Sequence, residues 1–207
     1  SINLIHNYSF LSYSTEFQFK NIDNCCLEKV IRTGGMCPRY FYDLYDTEGN
    51  FSARGITRAF SWVLIDKRKP KIDIYDYQDN FIGMIESKFQ KDFNLQFNFY
   101  NAQHHLAAIA YINKEMQEII IVSPDDPNQI FSKFTGQSGF EEDVFLNISF
   151  TSECCPIDNR IIKIFASLLA DFYDNFIHTT ELSDAKLEMF SSIMQIITTI
   201  LGVGDDS

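Results

Sequence analysis

Alternating apolar and polar residues predict strands along most of the chain. Residues 96–99 and 145–150 alternate at period two, as half-buried strands do. The apolar run 119–122, which precedes a Pro-rich turn, indicates a buried strand that ends there. Since no convincing helical pattern precedes Asp158, the chain up to that residue predicts about a dozen short strands.

A sequence repeat indicates how some of these strands are joined. Residues 43–51 match residues 73–81, and residues 98–106 form a looser third copy. Each copy has an apolar alternation, a polar turn and a second short apolar run. We therefore expect a β-hairpin in each copy, in which the Asp or Asn that follows Tyr caps the turn with its side chain. Gly49 or Asn50 is expected to take a positive φ.

Residues 159–178 predict a helix that is too apolar for a protein surface. On a helical wheel its polar residues form one stripe about 80° wide, and apolar side chains cover the rest. The stripe consists of Arg160, Lys163, Ser167, Asp171, Asp174 and His178. Its bases lie toward the N-terminus and its acids toward the C-terminus, which opposes the helix dipole, so we expect fixed partners from surrounding strands. Asp158 is the expected N-cap.

Together these elements predict a mainly β fold. We expect a closed antiparallel barrel of about 12 strands that encloses the hydrophobic C-terminal helix, because closure removes exposed strand edges. The barrel with its central helix would occupy residues 1–178, and an extra C-terminal amphipathic helix would lie within 179–207. The apolar face of this extra helix is expected to pack on a partner or on the barrel, and on a partner it would form a homo- or hetero-oligomer. The face consists of Leu187, Phe190, Ile193, Met194, Ile197, Ile200 and Leu201.

The charge of the chain narrows the classes of partner. A net charge of −11 argues against nucleic-acid binding and against membrane adhesion through the field of the whole protein. Residues 52–71 are the exception, since their only acid is Asp66. This segment is interpreted either as a solvated basic loop or as a site for anionic lipid headgroups, beside Trp62 and Leu64. The candidate lipid-binding residues are Arg54, Arg58, Lys67, Arg68, Lys69 and Lys71.

The acids Glu141, Glu142 and Asp143 are a candidate calcium site. Calcium takes about six to eight oxygen ligands, normally spaced along a loop. Three consecutive acids that run directly into an apolar segment are also typical of a solvated turn, so both interpretations stay open. Calcium is the one candidate cofactor.

The five cysteines form neither a disulfide framework nor a zinc-binding spacing. Reduced thiols are expected, which favours an intracellular, reducing compartment. Acylation is the alternative for the two adjacent pairs, Cys25 with Cys26 and Cys154 with Cys155. The adjacent His104 and His105 are expected at the surface, because neighbouring side chains point apart. Since neither a Gly-rich phosphate loop nor a GxSxG elbow is present, we expect no enzyme and assign no catalytic residue.

Several short segments, taken in order, resemble the phospholipid scramblase family, whose fold is the tubby-like C-terminal barrel. The resemblance runs from about Ile5 to Ile177. The matching segments are Leu4-Ile5-His6, residues 16–21, Cys25-Cys26, residues 37–41, 81–85 and 132–136, and the helix 164–176 with its pair Asp171-Phe172. The chain departs from the family at 61–71, which replaces a Cys-rich acylation run, and at 141–143, which only loosely keeps the proposed calcium segment.

The resemblance implies a lipid-associated protein. Family members move phospholipids between leaflets in a calcium-dependent way, and relatives of the fold bind phosphoinositides or act as adaptors. The first hypothesis is therefore a non-enzymatic lipid-binding or adaptor module, peripheral to a membrane or to a membrane complex. The second is a calcium-dependent scramblase with residues 159–178 in the bilayer, and the third is a structural subunit of a larger protein assembly.

Overall fold

The computed structural model describes residues 2–7, 14–34, 39–57, 71–89, 95–113, 118–138, 144–151 and 155–180. These residues form twelve strands followed by one helix. The strands are β1 Ile2–Asn7, β2 Ser14–Lys20, β3 Cys26–Thr33, β4 Phe41–Tyr45, β5 Phe51–Thr57, β6 Lys71–Asp76, β7 Phe81–Phe89, β8 Leu95–Asn101, β9 Leu106–Asn113, β10 Glu118–Val122, β11 Ile130–Ser138 and β12 Val144–Phe150. The helix α1 spans Asn159–Thr180.

Every strand pairs antiparallel with the strand that follows it in sequence. In addition, β1 pairs with β12, and the register places Ile2 opposite Ile148 and Leu4 opposite Leu146. The prediction of a mainly β, antiparallel fold with a C-terminal hydrophobic helix is confirmed.

Alternation along the strands sends one set of side chains into a shared core. In β2 the buried residues are Thr15, Phe17 and Phe19, each separated by a more exposed neighbour. The same rule gives β5 and β6 their buried faces, since successive side chains point to opposite sides of a sheet. The buried side chains of the strands and of α1 form one hydrophobic cluster.

Phe165 of α1 lies at the centre of this cluster. Its ring meets those of Phe97, Phe99 and Phe134 edge-on, with centroids 4.9, 4.8 and 5.9 Å away. Two of these rings come from β8 and the third from β11, so the helix contacts strands that are distant in sequence. Edge-to-face contacts of this kind add about 0.5–1.5 kcal/mol per pair beyond the burial of area.

The start of α1 agrees with its sequence. The Asp158 side chain accepts a hydrogen bond from the backbone N–H of Arg160 at 2.9 Å, so the predicted N-cap is confirmed. From Ile161 to Ala170 every side chain except Lys163 is buried. The helix therefore has almost no solvent-facing side over this range, as its apolar wheel predicts.

The two described bases of the helix stripe, Arg160 and Lys163, each have a partner from a strand. Lys163 forms an ion pair with Glu28 of β3, and both side chains are mostly buried. Arg160 pairs with Asp158 at 2.6 Å and donates to the Ser52 carbonyl of β5 at 3.3 Å. The expectation of fixed strand partners is confirmed for these two bases. Ser167 donates instead to the Lys163 carbonyl within the helix, and the side chains of Asp171, Asp174 and His178 lie outside the described part.

The domain boundary and the second helix stay predictions. The chain divides into two compact units, Ser1–Ala170 and Asp171–Ser207. Residues 181–207, which contain the predicted extra helix and its apolar face, lie outside the described residues.

Close approach of α1 to the sheet requires a glycine in β7. A Cβ placed on Gly83 would lie 2.5 Å from the Tyr100 carbonyl oxygen and 2.6 Å from Cδ1 of Ile161. The first contact is with backbone, which cannot rotate away. Residue 83 must therefore lack a side chain for β8 and α1 to keep their positions.

We predict that Gly83→Ala lowers the free energy of unfolding by about 3 kcal/mol, the upper part of the usual range for overpacking. Gly49→Ala is the control, because Gly49 has open space around it but a φ of +83°. That change should lower the free energy by about 1 kcal/mol through backbone strain alone. Urea unfolding of both variants checks this, and equal losses would contradict the close packing at Gly83.

Candidate functional site

Five turns lie at one end of the sheet, because every second pair of consecutive strands, from β2–β3 to β10–β11, is joined there. The turns comprise residues 21–25, 46–50, 77–80, 102–105 and 123–129. Strand β12 also ends at this side, and α1 begins there after Asp158. We call this surface the hairpin end.

Three of the turns share one capping geometry. In each, a single side-chain oxygen accepts hydrogen bonds from two backbone N–H groups, two and four residues later. Asp46 accepts from Glu48 and Asn50 at 2.9 and 2.8 Å. Asp76 and Asn101 repeat this pattern in their own turns, with distances of 2.8–3.0 Å. The predicted hairpins and their side-chain caps are confirmed.

The position of positive φ in these turns differs in part from the expectation. Gly49 has a φ of +83°, as predicted, and the equivalent residues Asp79 and His104 have +62° and +60°. Asn50 was the other candidate, but it is not among the positive-φ residues. It donates its side-chain amide to Asp46 at 3.2 Å instead.

A fourth copy of the turn lies between β2 and β3 and was missed by sequence reasoning. Asn21 accepts a hydrogen bond from the Cys25 backbone at 2.9 Å, and Asn24 has a φ of +63°. The signal was available, since Asn21 and Asn24 stand at the same spacing as Asp76 and Asp79. It was hidden because Lys20 replaces the Tyr that marks the other copies.

The Asp caps carry charge that the turn itself stabilises. The backbone N–H of Asn50 lowers the pKa of Asp46, and the side-chain amide of Asn80 lowers the pKa of Asp76. Both residues are half-buried. Their lowered pKa keeps the carboxylates ionised at neutral pH, and one oxygen of each already accepts two backbone hydrogen bonds. Their first role is to hold the turns.

Large apolar side chains are exposed at the hairpin end. Ile22 is 81% exposed and Tyr77 is 63% exposed, and Leu106 and Phe150 are also exposed there. The ring of His104 stacks on Phe81 with centroids 4.7 Å apart, which joins two neighbouring turns. Both His104 and His105 are at the surface, as expected.

Of the predicted lipid-binding bases, only Arg54 and Lys71 lie in described residues, and both are paired. Arg54 donates two hydrogen bonds to Asp43, at 2.6 and 2.9 Å, which raises the pKa of Arg54. Its guanidinium also lies over the rings of Phe41 and Phe51. Arg58, Lys67, Arg68 and Lys69 lie outside the described residues.

Lys71 belongs to a polar network that sequence reasoning missed. Its ammonium lies 3.1 Å from Glu86, and the other oxygen of Glu86 accepts from Tyr100 at 3.0 Å. Asn98, which is 1% exposed, donates to the same tyrosine, and Gln96 donates to Asn98 at 2.9 Å. The network joins β6, β7 and β8. Because the ammonium of Lys71 is paired with Glu86, Lys71 is less available to an anionic lipid than the sequence alone indicates.

The cysteines differ in accessibility. Cys25 and Cys26 are exposed at the β2–β3 turn, whereas Cys155 is half-buried and burial raises its pKa. The first pair is thus open to modification at the hairpin end. Cys154 lies outside the described residues, so acylation of the second pair stays a prediction.

Two further predictions also fall outside the described residues. These are the calcium candidates Glu141, Glu142 and Asp143 and the partner face from Leu187 to Leu201. Within the part of the chain that is described, no cluster of three or more His, Cys, Asp or Glu side chains is placed to hold a metal ion. No helix found among those residues combines the length and apolarity needed to cross a bilayer.

We predict that the double variant Asp46→Asn, Asp76→Asn loses less stability than the wild type when the pH is lowered from neutral to about 3. A carboxyl whose pKa is lowered on folding stabilises the folded state at neutral pH, and this contribution is lost as the pH falls below about 4. The amide should keep the turn, as Asn101 does, but cannot titrate. Urea midpoints at neutral pH and near pH 3 should therefore differ less for this variant than for the wild type.

The matched control for that experiment is Asp23→Asn with Asp79→Asn. It changes the net charge of the hairpin end equally, but in the turns of Asp23 and Asp79 the capping acceptors are Asn21 and Asp76 instead. It should keep the pH dependence of the wild type. Equal behaviour of the two double variants would show that net charge, not capping, causes the acid sensitivity.

Comparisons with known proteins supply no family for the chain. No family model matches it, and no curated protein matches it significantly.

Proposed function

We propose that the protein is a scramblase-like barrel that acts as a non-enzymatic binding or adaptor module at lipid surfaces. The observation that supports this most is the use of α1 as the core of the sheet. Its side chains from Ile161 to Ala170 are buried, apart from Lys163, and both Arg160 and Lys163 are paired. A helix that serves as a core leaves its apolar surface unavailable to lipid tails.

The same burial argues against the second hypothesis, in which residues 159–178 span a bilayer. Withdrawing the helix would take Phe165 away from Phe97, Phe99 and Phe134 and expose their rings. Burial of one such large apolar side chain is worth about 1.5–3 kcal/mol. It would also separate Lys163 from Glu28 and leave two mostly buried charges without this partner, which is unfavourable. We therefore place calcium-dependent scrambling second, as the alternative to the binding or adaptor module.

We assign lipid attraction to the four bases that precede β6. Arg54 and Lys71 are engaged by Asp43 and Glu86, which leaves Arg58, Lys67, Arg68 and Lys69. Each base near an anionic bilayer contributes about 1 kcal/mol, so this group supports reversible binding to a surface. Trp62 and Leu64 in the same segment would favour the interfacial region.

The finer architecture is part of the proposal. We infer that pairing of β1 with β12 closes the sheet into a barrel around α1, as the three-residue register between them supports. Closure would leave no exposed strand edge. A closed barrel would also explain why one helix contacts β3, β5, β8 and β11.

A disulfide between β1 and β12 tests closure. In protein whose native cysteines are replaced by Ser, Asn3→Cys with Asn147→Cys should oxidise readily, since directly opposed residues lie within disulfide reach. Asn3→Cys with Ser149→Cys is the control, shifted by two residues along β12 to a spacing of about 7–8 Å. Equal oxidation of the two pairs, measured by mass spectrometry, would contradict the closed barrel.

Vesicle sedimentation tests lipid binding. The wild type should bind phosphatidylcholine vesicles that contain phosphatidylserine more strongly than vesicles of phosphatidylcholine alone. The change of Lys67, Arg68 and Lys69 to Gln should weaken this binding by roughly 100-fold if each base contributes about 1 kcal/mol. The control changes Lys20, Lys29 and Lys133 to Gln, which alters the net charge equally and should have little effect.

Two outcomes would overturn this proposal. Equal binding by the two triple variants would remove the basic segment from the lipid site. Calcium-dependent exchange of labelled lipid between leaflets, with protein that resists alkaline extraction from the vesicles, would favour the scramblase alternative. The third hypothesis, a structural subunit, predicts a change of oligomeric state when residues 183–207 are deleted.

A further inference from the structure

The contact between β1 and β12, which we call the seam, has the shortest ladder of the described sheet. It contains three residue pairs, from Ile2 with Ile148 to Leu4 with Leu146. Every other pair of neighbouring strands is joined by five to seven described residue pairs. Because backbone hydrogen bonds accumulate along a ladder, the seam has the fewest to break.

The ladder of the seam stops although both strands continue. Residues 5–7 of β1 stay paired with residues 16–18 of β2. Residues 144 and 145 of β12 stay paired with Ser138 and Gln137 of β11. At the end away from the turns, each strand therefore keeps its other neighbour, while the described ladder between β1 and β12 has already ended. Further opening of the seam would only lengthen an existing separation.

Contacts around α1 hold most of the sheet to the helix. Phe165 meets rings of β8 and β11, and Lys163 pairs with Glu28 of β3. Ile161 and Ile164 lie close against glycines of β7 and β5. These contacts are distributed over the strands from β3 to β11.

The remaining arc of the helix faces β12, β1 and β2. At about 100° per residue, this arc runs from Phe165 to Lys163 on the helical wheel. The described side chains within it are all buried, and they are Ile162, Ala166, Leu169 and Ala170. Two of these four offer only a methyl group, which buries little area. The helix therefore adds less to closure at the seam than its aromatic contact adds at β8.

We infer that the seam is a gate, which opens and recloses while every other described ladder stays formed. The inference rests on the closed barrel proposed above. Native proteins open locally where their contacts are least stable, and both the short ladder and the small helix side chains place that point between β1 and β12. In the open form β1 stays paired with β2, and β12 stays paired with β11.

Opening of the gate would expose the inner side of the seam. Leu4, Leu146 and Ile148 are between 0% and 3% exposed in the closed form, and the arc of α1 that contains Ala166 lies behind them. Among the described ladders, the seam gives access to the helix after the loss of the fewest residue pairs. Withdrawal of α1, which the scramblase alternative requires, would therefore begin at this gate.

Hydrogen exchange of the wild type, measured by NMR, tests the gate. Amides that bond across the seam should exchange about tenfold or more faster than amides that bond β11 to β12, because the less stable contact opens more often. Amides that bond β1 to β2 should be as slow as those between β11 and β12. Successive residues of an antiparallel strand bond to alternate neighbours, so the two groups of β1 amides can be read separately.

A disulfide across the seam supplies the second measurement, in protein whose native cysteines are replaced by Ser. Oxidation of the Asn3→Cys, Asn147→Cys variant should slow exchange at the seam by about tenfold or more relative to the reduced form. The control, Lys133→Cys with Ser149→Cys, joins directly opposed residues of β11 and β12. It matches the general stabilisation by a cross-link and should leave exchange at the seam unchanged. Urea midpoints check that each variant is folded.

Three results would overturn the gate alone. They are seam amides that exchange as slowly as those between β11 and β12, amides between β1 and β2 that exchange as fast as seam amides, and equal slowing by the two disulfides. The second result would mean that β1 detaches as a whole. Failure of the seam disulfide to form would overturn the closed barrel and the gate together. None of these measurements contains lipid, so their failure is distinct from failure of the vesicle experiment.

Discussion

The packing of α1 against the inward faces of the strands is the contact on which the rest of the structure depends. Strand side chains that alternate toward one side need something to bury them. Phe165 supplies the centre of that contact through Phe97, Phe99 and Phe134, and Gly83 lets the helix approach closely. A helix buried in this way cannot keep unpaired charge, because an unpaired buried charge is strongly destabilising. The pairing of Lys163 with Glu28 is therefore a requirement of the packing.

The five turns of the hairpin end are constrained by the strands that they join. Just before each of the five turns the strand register shifts, as at Leu44/Tyr45 and Ile74/Tyr75. Across the base of two turns Tyr45 meets Phe51 and Tyr75 meets Phe81 edge-on, at 6.0 and 5.8 Å. The repeated Tyr and Asp thus have separate tasks. The tyrosine packs across the pair of strands, and the Asp that follows it satisfies backbone N–H groups within the turn.

Sequence reasoning predicted what is local and missed what depends on register. The caps at Asp46 and Asp76 and the N-cap at Asp158 each involve residues within four positions, so spacing alone indicates them. The apolar wheel of α1 predicts burial, and it also predicts that the charged stripe has partners. It cannot name Glu28, which lies far away in sequence. Likewise, Arg54 meets Asp43 only because the bulge beside Tyr45 sets that register, so the sequence counted a paired base as a free one.

The two kinds of charge therefore serve different purposes in this chain. Acids at the turns are needed for folding wherever they cap, which makes a negative hairpin end a consequence of building several similar hairpins on one side. Within residues 52–71, Arg54 and Lys71 are neutralised by Asp43 and Glu86, which leaves Arg58, Lys67, Arg68 and Lys69 as the bases that the lipid proposal uses. The proposed attraction of an anionic membrane therefore depends on these four bases, whose segment joins β5 to β6 at the end of the strands away from the acidic turns.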